Sequence, residues 1–137
     1  MYTCDVQYPE FEWDQYKKMG PVDVDEAVEA FNTFPFDELF QKTEALGPDA
    51  TAAILWFRAP ADQPVLAICL LQPGVYEIYM DFGDKVKIES RDKHFIVETI
   101  KDFFSGNHGS LYEKLAKDPS AAGTLGFWNR LKRIFSR

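Results

Sequence analysis

The chain predicts an α+β fold: an antiparallel four-stranded meander with two helices before it and about three after it. Three observations point there. Residues 21–47 repeat apolar side chains at helical spacing behind a capping signal. Residues 51–90 hold four short strand-like runs punctuated by turn residues. Residues 92–118 return to helical spacing, so helices and strands are segregated along the chain and the helices should pack on the meander.

Taken in order, residues 1–20 read as an arm or an edge strand. YPEFEWDQYKK alternates aromatic and acidic side chains, with Phe11 and Trp13 at strand spacing. Tyr8 and Phe11 would also suit a helical turn.

Asp23 then offers a cap, and Glu26 stands three residues later, the spacing of a capping box. Val24, Ala27, Val28 and Phe31 form one apolar helical face. The carboxylates of Asp23, Asp25 and Glu26 lie where the helix dipole favours negative charge. Pro35 interrupts the pattern. A second helix carries Phe36, Leu39, Phe40 and Thr43 on one face and stops at Gly47-Pro48.

TAAILWFR (51–58) and VLAICLL (65–71) are apolar on both faces and should be central or covered on both sides. Pro73-Gly74 marks a turn. VYEIYMDF (75–82) alternates: Tyr76, Ile78, Met80 and Phe82 share one face, Val75, Glu77, Tyr79 and Asp81 the other. KVKIES follows. A three-residue loop, 83–85, would pair Phe82 with Val86 and Met80 with Ile88. It would also set Asp81 opposite Lys87 and Glu77 opposite Arg91, whereas a two-residue loop would mix core and solvent faces.

Ser90 or Asp92 caps the next helix, whose stripe is Ile96, Val97, Ile100, Phe103 and Phe104, ending near Gly106. Ser110 with Glu113 reads as a capping box opening a short helix with Leu111 and Leu115. Residues 120–126 form a small-residue linker, and a basic amphipathic helix over 124–137 closes the chain. There Phe127, Trp128, Leu131, Ile134 and Phe135 fall within about 120° of arc, with the bases on the remainder.

The 137 residues suit a single domain, 1–137. Hydrophobic residues at 46%, including twelve Phe, supply enough core for a domain of this size to need no staples. Cys4 and Cys69 suggest neither a disulfide framework nor a zinc site. No apolar run reaches the length of a membrane span. The start of the chain lacks the basic and apolar regions of a signal peptide, so the expected location is the cytoplasm.

The net charge of −7 is unevenly spread. Residues 1–50 hold 12 acids and 3 bases, whereas residues 127–137 hold 4 bases and no acid. An acidic half repels phosphates, which argues against nucleic acid and suits a basic protein partner.

Little in the chain suggests catalysis. His94 and His108, the only histidines, have no companion at metal-ligand spacing. Ser90–Lys93 matches S-x-x-K, but its companion motifs are absent and Ser90 is better read as a cap. Gly106–Gly109 has the outline of a G-x-x-G loop without basic surroundings. Asp23–Glu26 lacks the remaining ligands of a calcium loop. The expectation is a non-enzyme with no cofactor and no metal.

Aromatic anchors within a charged rim are what protein interfaces use. The candidate partner-binding residues are therefore Glu10, Glu12, Trp13 and Asp14, with Glu77, Tyr79 and Asp81 as a second patch. The bland account is that the aromatics fill the core and the acids are solvated. The basic tail offers another set: Phe127, Trp128, Arg130, Lys132 and Arg133. These residues suit contact with a partner or a membrane surface. A helix this short is marginal alone, however, and the acidic half is an electrostatic home close by. Packing of the tail on its own domain is therefore favoured over both.

The order of two helices, a short meander with YEIYMDF (76–82) and then VETIKDFFSGN (97–107) resembles the immunity proteins of bacterial polymorphic-toxin systems. The resemblance covers roughly residues 50–107 and lies in layout, so no residue roles are carried over. It implies a stoichiometric inhibitor of a cognate toxin, recognised by shape and charge. Peripheral membrane or adaptor binding through the tail is the alternative.

Overall fold

The computed structural model describes residues 1–12 and 14–121. Among them, six strands form one antiparallel sheet: β1 (Thr3–Gln7), β2 (Lys17–Pro21), β3 (Ile54–Arg58), β4 (Val65–Gln72), β5 (Val75–Phe82) and β6 (Asp84–Ser90). Their order across the sheet is β2-β1-β3-β4-β5-β6. Four helices accompany it: α1 (Val24–Thr33), α2 (Phe36–Leu46), α3 (Lys93–Phe104) and α4 (His108–Ala116).

The α+β class therefore stands, and the expected strand count is corrected from four to six. Residues 1–20 are not an arm; they hold the edge strand expected there and an interior strand besides. They supply β1, which lies inside the sheet between β2 and β3, and most of β2, which forms the edge. β1 runs antiparallel to β3, with Cys4 opposite Phe57 and Val6 opposite Leu55. Five residues with alternating polarity do not announce a buried strand; their burial comes from partners about fifty positions away. The expected closing helix at 124–137 lies outside the described residues. So do Trp13, Phe127, Trp128, Arg130, Lys132 and Arg133.

Alternation along the strands sends one side-chain set to the helices. Leu55, Phe57, Leu66, Ile68, Ile78, Met80 and Ile88 are almost fully buried there, together with Ala27, Phe31, Phe36, Ile96, Ile100, Phe103, Leu111 and Leu115 from the four helices. Each large apolar side chain so buried stabilises by about 1.5–3 kcal/mol relative to exposure. All four helices contribute to this one core.

The expected capping box at α1 forms: Asp23 Oδ1 accepts from the Glu26 N–H and Glu26 Oε1 accepts from the Asp23 N–H. Asp92, rather than Ser90, caps α3, accepting from the backbone of His94 and Phe95. The box expected at Ser110 and Glu113 does not form. α4 begins three residues earlier, with Asn107 at its cap and His108 as its first residue, which puts Ser110 inside the helix, while Leu111 and Leu115 are buried as expected.

The β5–β6 register is corrected by two residues. Met80 faces Val86, Ile78 faces Ile88, Tyr79 faces Lys87 and Glu77 faces Glu89. The turn closes on Gly83 alone, whose φ of +91° a glycine adopts without a Cβ penalty. The Asp81 carboxylate accepts the Gly83 N–H at 3.1 Å, which favours the tighter turn. A slip of two keeps every side chain on its expected face.

Candidate functional site

Three lateral rows of side chains occupy the sheet face opposite the helices. Strand pairing sets Asp5, Trp56, Ala67, Tyr79 and Lys87 side by side. Gln7, Ile54, Cys69, Glu77 and Glu89 make a second row, and Thr3, Arg58, Val65, Asp81 and Lys85 a third. The alternation of β5 thus puts Glu77, Tyr79 and Asp81 together as expected. It joins them to Asp5, Trp56 and Arg58, which the sequence reading missed. The signal was the alternation of polar-capable Trp56 and Arg58 with Leu55 and Phe57, hidden because ILWFR reads as uniformly apolar.

Among the described residues, two ion pairs cross this face. Arg58 Nε donates to Asp5 Oδ2 at 2.8 Å, and Lys87 Nζ lies 2.9 Å from Glu77 Oε1, with the Lys87 and Glu77 side chains only 12% and 8% exposed. Charges this buried are tolerated because they are paired. The Arg58 guanidinium also sits 5.5 Å from the ring centroids of Tyr16 and of Trp56, within cation–π range. Trp56 meets Tyr16 and Tyr79 edge-on.

Chemistry on this face is damped rather than activated. Burial, then the Asp81 charge and its hydrogen bond, push the Tyr79 phenol up to about 12. Burial, with Glu77 adding and Lys87 opposing, pushes the Cys69 thiol up to about 12. A nucleophile needs the opposite shift. Cys4, on the core face, is likewise raised to about 12 by burial and by Asp5.

The remaining candidates lie at one end of the sheet, in the connection between β1 and β2. Glu10 pairs with Lys42 of α2 at 3.2 Å, and both side chains are about half exposed. A hydrogen bond from its own backbone N–H, with Lys42 adding, holds the Glu10 carboxyl below its usual range. Thr51 Oγ1 donates to the Phe11 carbonyl at 2.9 Å, Tyr8 packs edge-on against Phe11, and Tyr16 packs on Trp56. The connection is therefore pinned at several points and presents Glu12 and Asp14 to solvent. Exposed carboxylates continue from it along α1 (Asp25, Glu26, Glu29) and α2 (Asp37, Glu38, Glu44). Lys42 is the one base between Lys18 and Arg58 in the sequence.

The histidines have structural partners or solvent. His94 is exposed in the first turn of α3. His108 Nε2 lies 2.9 Å from both the Phe103 carbonyl and the Tyr2 hydroxyl. Among the described residues no group of His, Cys, Asp or Glu is arranged to hold a metal, and no helix is long and apolar enough to cross a membrane. A cleft of about 310 Å³ at the α1–α2 junction is lined by Phe34, Asp37, Glu38, Tyr76 and Lys93 among others, and is open and largely polar. Neither family models, curated proteins nor solved structures yield a match to this chain.

Proposed function

We propose that this protein is a non-catalytic binding module, an immunity or inhibitor protein that neutralises a basic, toxin-like partner through acidic and aromatic surface. The observation that carries the reading is the run of solvent-facing carboxylates from the pinned β1–β2 connection onto α1 and α2, nearly unrelieved by bases. Such a field steers a basic protein into encounter and fixes its orientation. Glu10, Glu12 and Asp14 are the principal proposed contacts. Trp13, between them in sequence, suits the aromatic anchor that such interfaces use. Glu77, whose carboxylate is taken up by Lys87, contributes less than these, and Tyr79 and Asp81 extend the contact set on the sheet face.

Co-purification from the native host, followed by charge reversal, tests this. A basic protein should be recovered one-to-one. The Glu12→Lys, Asp14→Lys pair should slow its association at least tenfold at low salt and leave dissociation nearly unchanged. Failure to recover any basic partner at low salt sinks the proposal. So does a partner whose association rate ignores both substitutions.

A further inference from the structure

The cleft at the α1–α2 junction combines three kinds of wall. The first is aromatic. Phe34 meets Phe36 with ring centroids 4.7 Å apart, and Phe36 meets Tyr76 at 5.4 Å, so rings run from the α1–α2 turn to the end of β5. The second is carboxylate. Asp37 and Glu38 stand exposed in the first turn of α2, and among the described residues neither is paired with a base. The third is the C-terminal turn of α1, which holds no basic residue. Pro35 stands four residues after Phe31, so the donor that the Phe31 carbonyl would meet in a continued helix is missing. The carbonyl end of a helix carries partial negative charge.

Tyr76 points the same way independently. It is only 6% exposed and lines the cleft, yet among the described residues its hydroxyl has no hydrogen-bond partner. Buried tyrosine hydroxyls ordinarily find one. A ligand that brings N–H groups into the cleft supplies it.

Lys93, at the start of α3, is the one base among the described residues of the lining. It and the amide end of α2 disfavour a cation. Two full carboxylate charges, the α1 carbonyl end and the acids along α1 and α2 outweigh them. The volume, about 310 Å³, suits one long side chain rather than an extended ligand.

A guanidinium meets all three walls at once. It stacks on aromatic faces, forks onto carboxylates and donates to a phenolic oxygen. An ammonium carries the charge without the plane. We infer that this cleft seats an arginine side chain presented by the basic partner. Arginine is among the side chains that most often anchor protein interfaces. The partner rests on the proposed function; the preference of the cleft for a guanidinium does not.

Titration of the full chain with N-acetyl-arginine amide, followed by amide chemical shifts, tests it with no partner present. Saturable shifts should be confined to the surroundings of Phe34, Tyr76 and Lys93. Asp37→Asn with Glu38→Gln should weaken the probe about tenfold through lost charge-assisted hydrogen bonds. Tyr76→Phe, which keeps the ring, should weaken it about threefold. Lys93→Gln removes the competing cation and should tighten it about twofold. Asp37, Glu38 and Lys93 are exposed, so these substitutions leave the fold intact. N-acetyl-citrulline amide, the uncharged isostere, should not bind, and N-acetyl-lysine amide should bind more weakly than the arginine probe. Absence of saturable shifts at the cleft overturns the inference, as does equal binding of the arginine and lysine probes. Opposite signs for the carboxylate and Lys93 variants overturn it too and assign the cleft to an anion. A recovered basic partner whose affinity ignores Asp37→Asn with Glu38→Gln overturns the inference and leaves the proposed function standing. Selective arginine binding with no basic partner recovered supports the cleft and sinks the proposed function.

Discussion

Arg58 donates from Nε to Asp5 Oδ2 across 2.8 Å, joining β1 to β3 between positions 53 residues apart. With side chains 23% and 11% exposed, neither charge is well solvated on its own. Asp5→Asn or Arg58→Met should each destabilise the fold by about 1–3 kcal/mol, because each leaves a partly buried charge without its counterpart. The double substitution should cost less than the sum. Denaturant midpoints for the four proteins measure that coupling, and strict additivity would show the pair to be energetically idle.

Alkali should weaken the fold through Tyr79. Its phenol is raised from the ordinary value of 10.0 to about 12, so the folded state holds the proton that the unfolded chain gives up. This contribution is fully present below pH 10 and is lost as pH climbs toward 12. Tyr79→Phe should flatten that stretch of the stability curve and cost less than about 1 kcal/mol near neutrality, where only the long 3.5 Å hydrogen bond to Asp81 is lost. Tyrosinate absorbance followed alongside unfolding checks the assignment.

Both thiols should be slow toward disulfide reagents near neutral pH, since the thiolate is the attacking species and burial disfavours it. Cys4, buried in the core, should modify at a rate set by unfolding, whereas Cys69, partly exposed, should be slowed by its raised thiol, and denaturant should accelerate both. Rapid modification of native Cys69 would show that its surroundings open freely.

The β5–β6 turn should respond to two different substitutions. Gly83→Ala puts a Cβ on a residue at φ +91° and should cost about 1–2 kcal/mol. Asp81→Ala removes the acceptor of the Gly83 N–H and should cost about 1 kcal/mol. Hydrogen exchange confined to β5 and β6 reads both, and a shared turn predicts that their effects do not add.

Phe103, fully buried against Tyr2 and Phe104, should be among the costliest single truncations. Phe103→Ala should lose about 3–5 kcal/mol through lost transfer energy and the cavity left behind. The Phe103 ring also packs against the His108 imidazole, centroids 5.1 Å apart, so the same change should loosen the start of α4, visible as faster amide exchange there.

What short-range chemistry decides was readable in the residues. The Asp23–Glu26 box, the apolar stripe ending at Phe31, the stop at Gly47 and the alternation of Tyr76 to Phe82 each depend on neighbours within a few positions. Their spacing therefore shows in the letters. Parity along β5 also assigned Glu77, Tyr79 and Asp81 to one face, because an even register shift cannot move a side chain across a sheet.

Long-range pairing decided the rest. β1 is a strand because Cys4 and Val6 find Phe57 and Leu55, and nothing within residues 1–20 specifies those partners. Asp5 is acceptable in a buried row only because Arg58 arrives opposite Thr3, one step along the neighbouring strand. The register of β6 followed from a single glycine and the Asp81 carboxylate, a contest between two loops that hydrophobic pattern alone leaves equal. Composition and periodicity determined the class, the core stripes and the acidity of the helical side. Only the assembled sheet decided which acids are neutralised by pairing and which still face solvent, because solvation and charge pairing are properties of neighbours in space rather than in sequence.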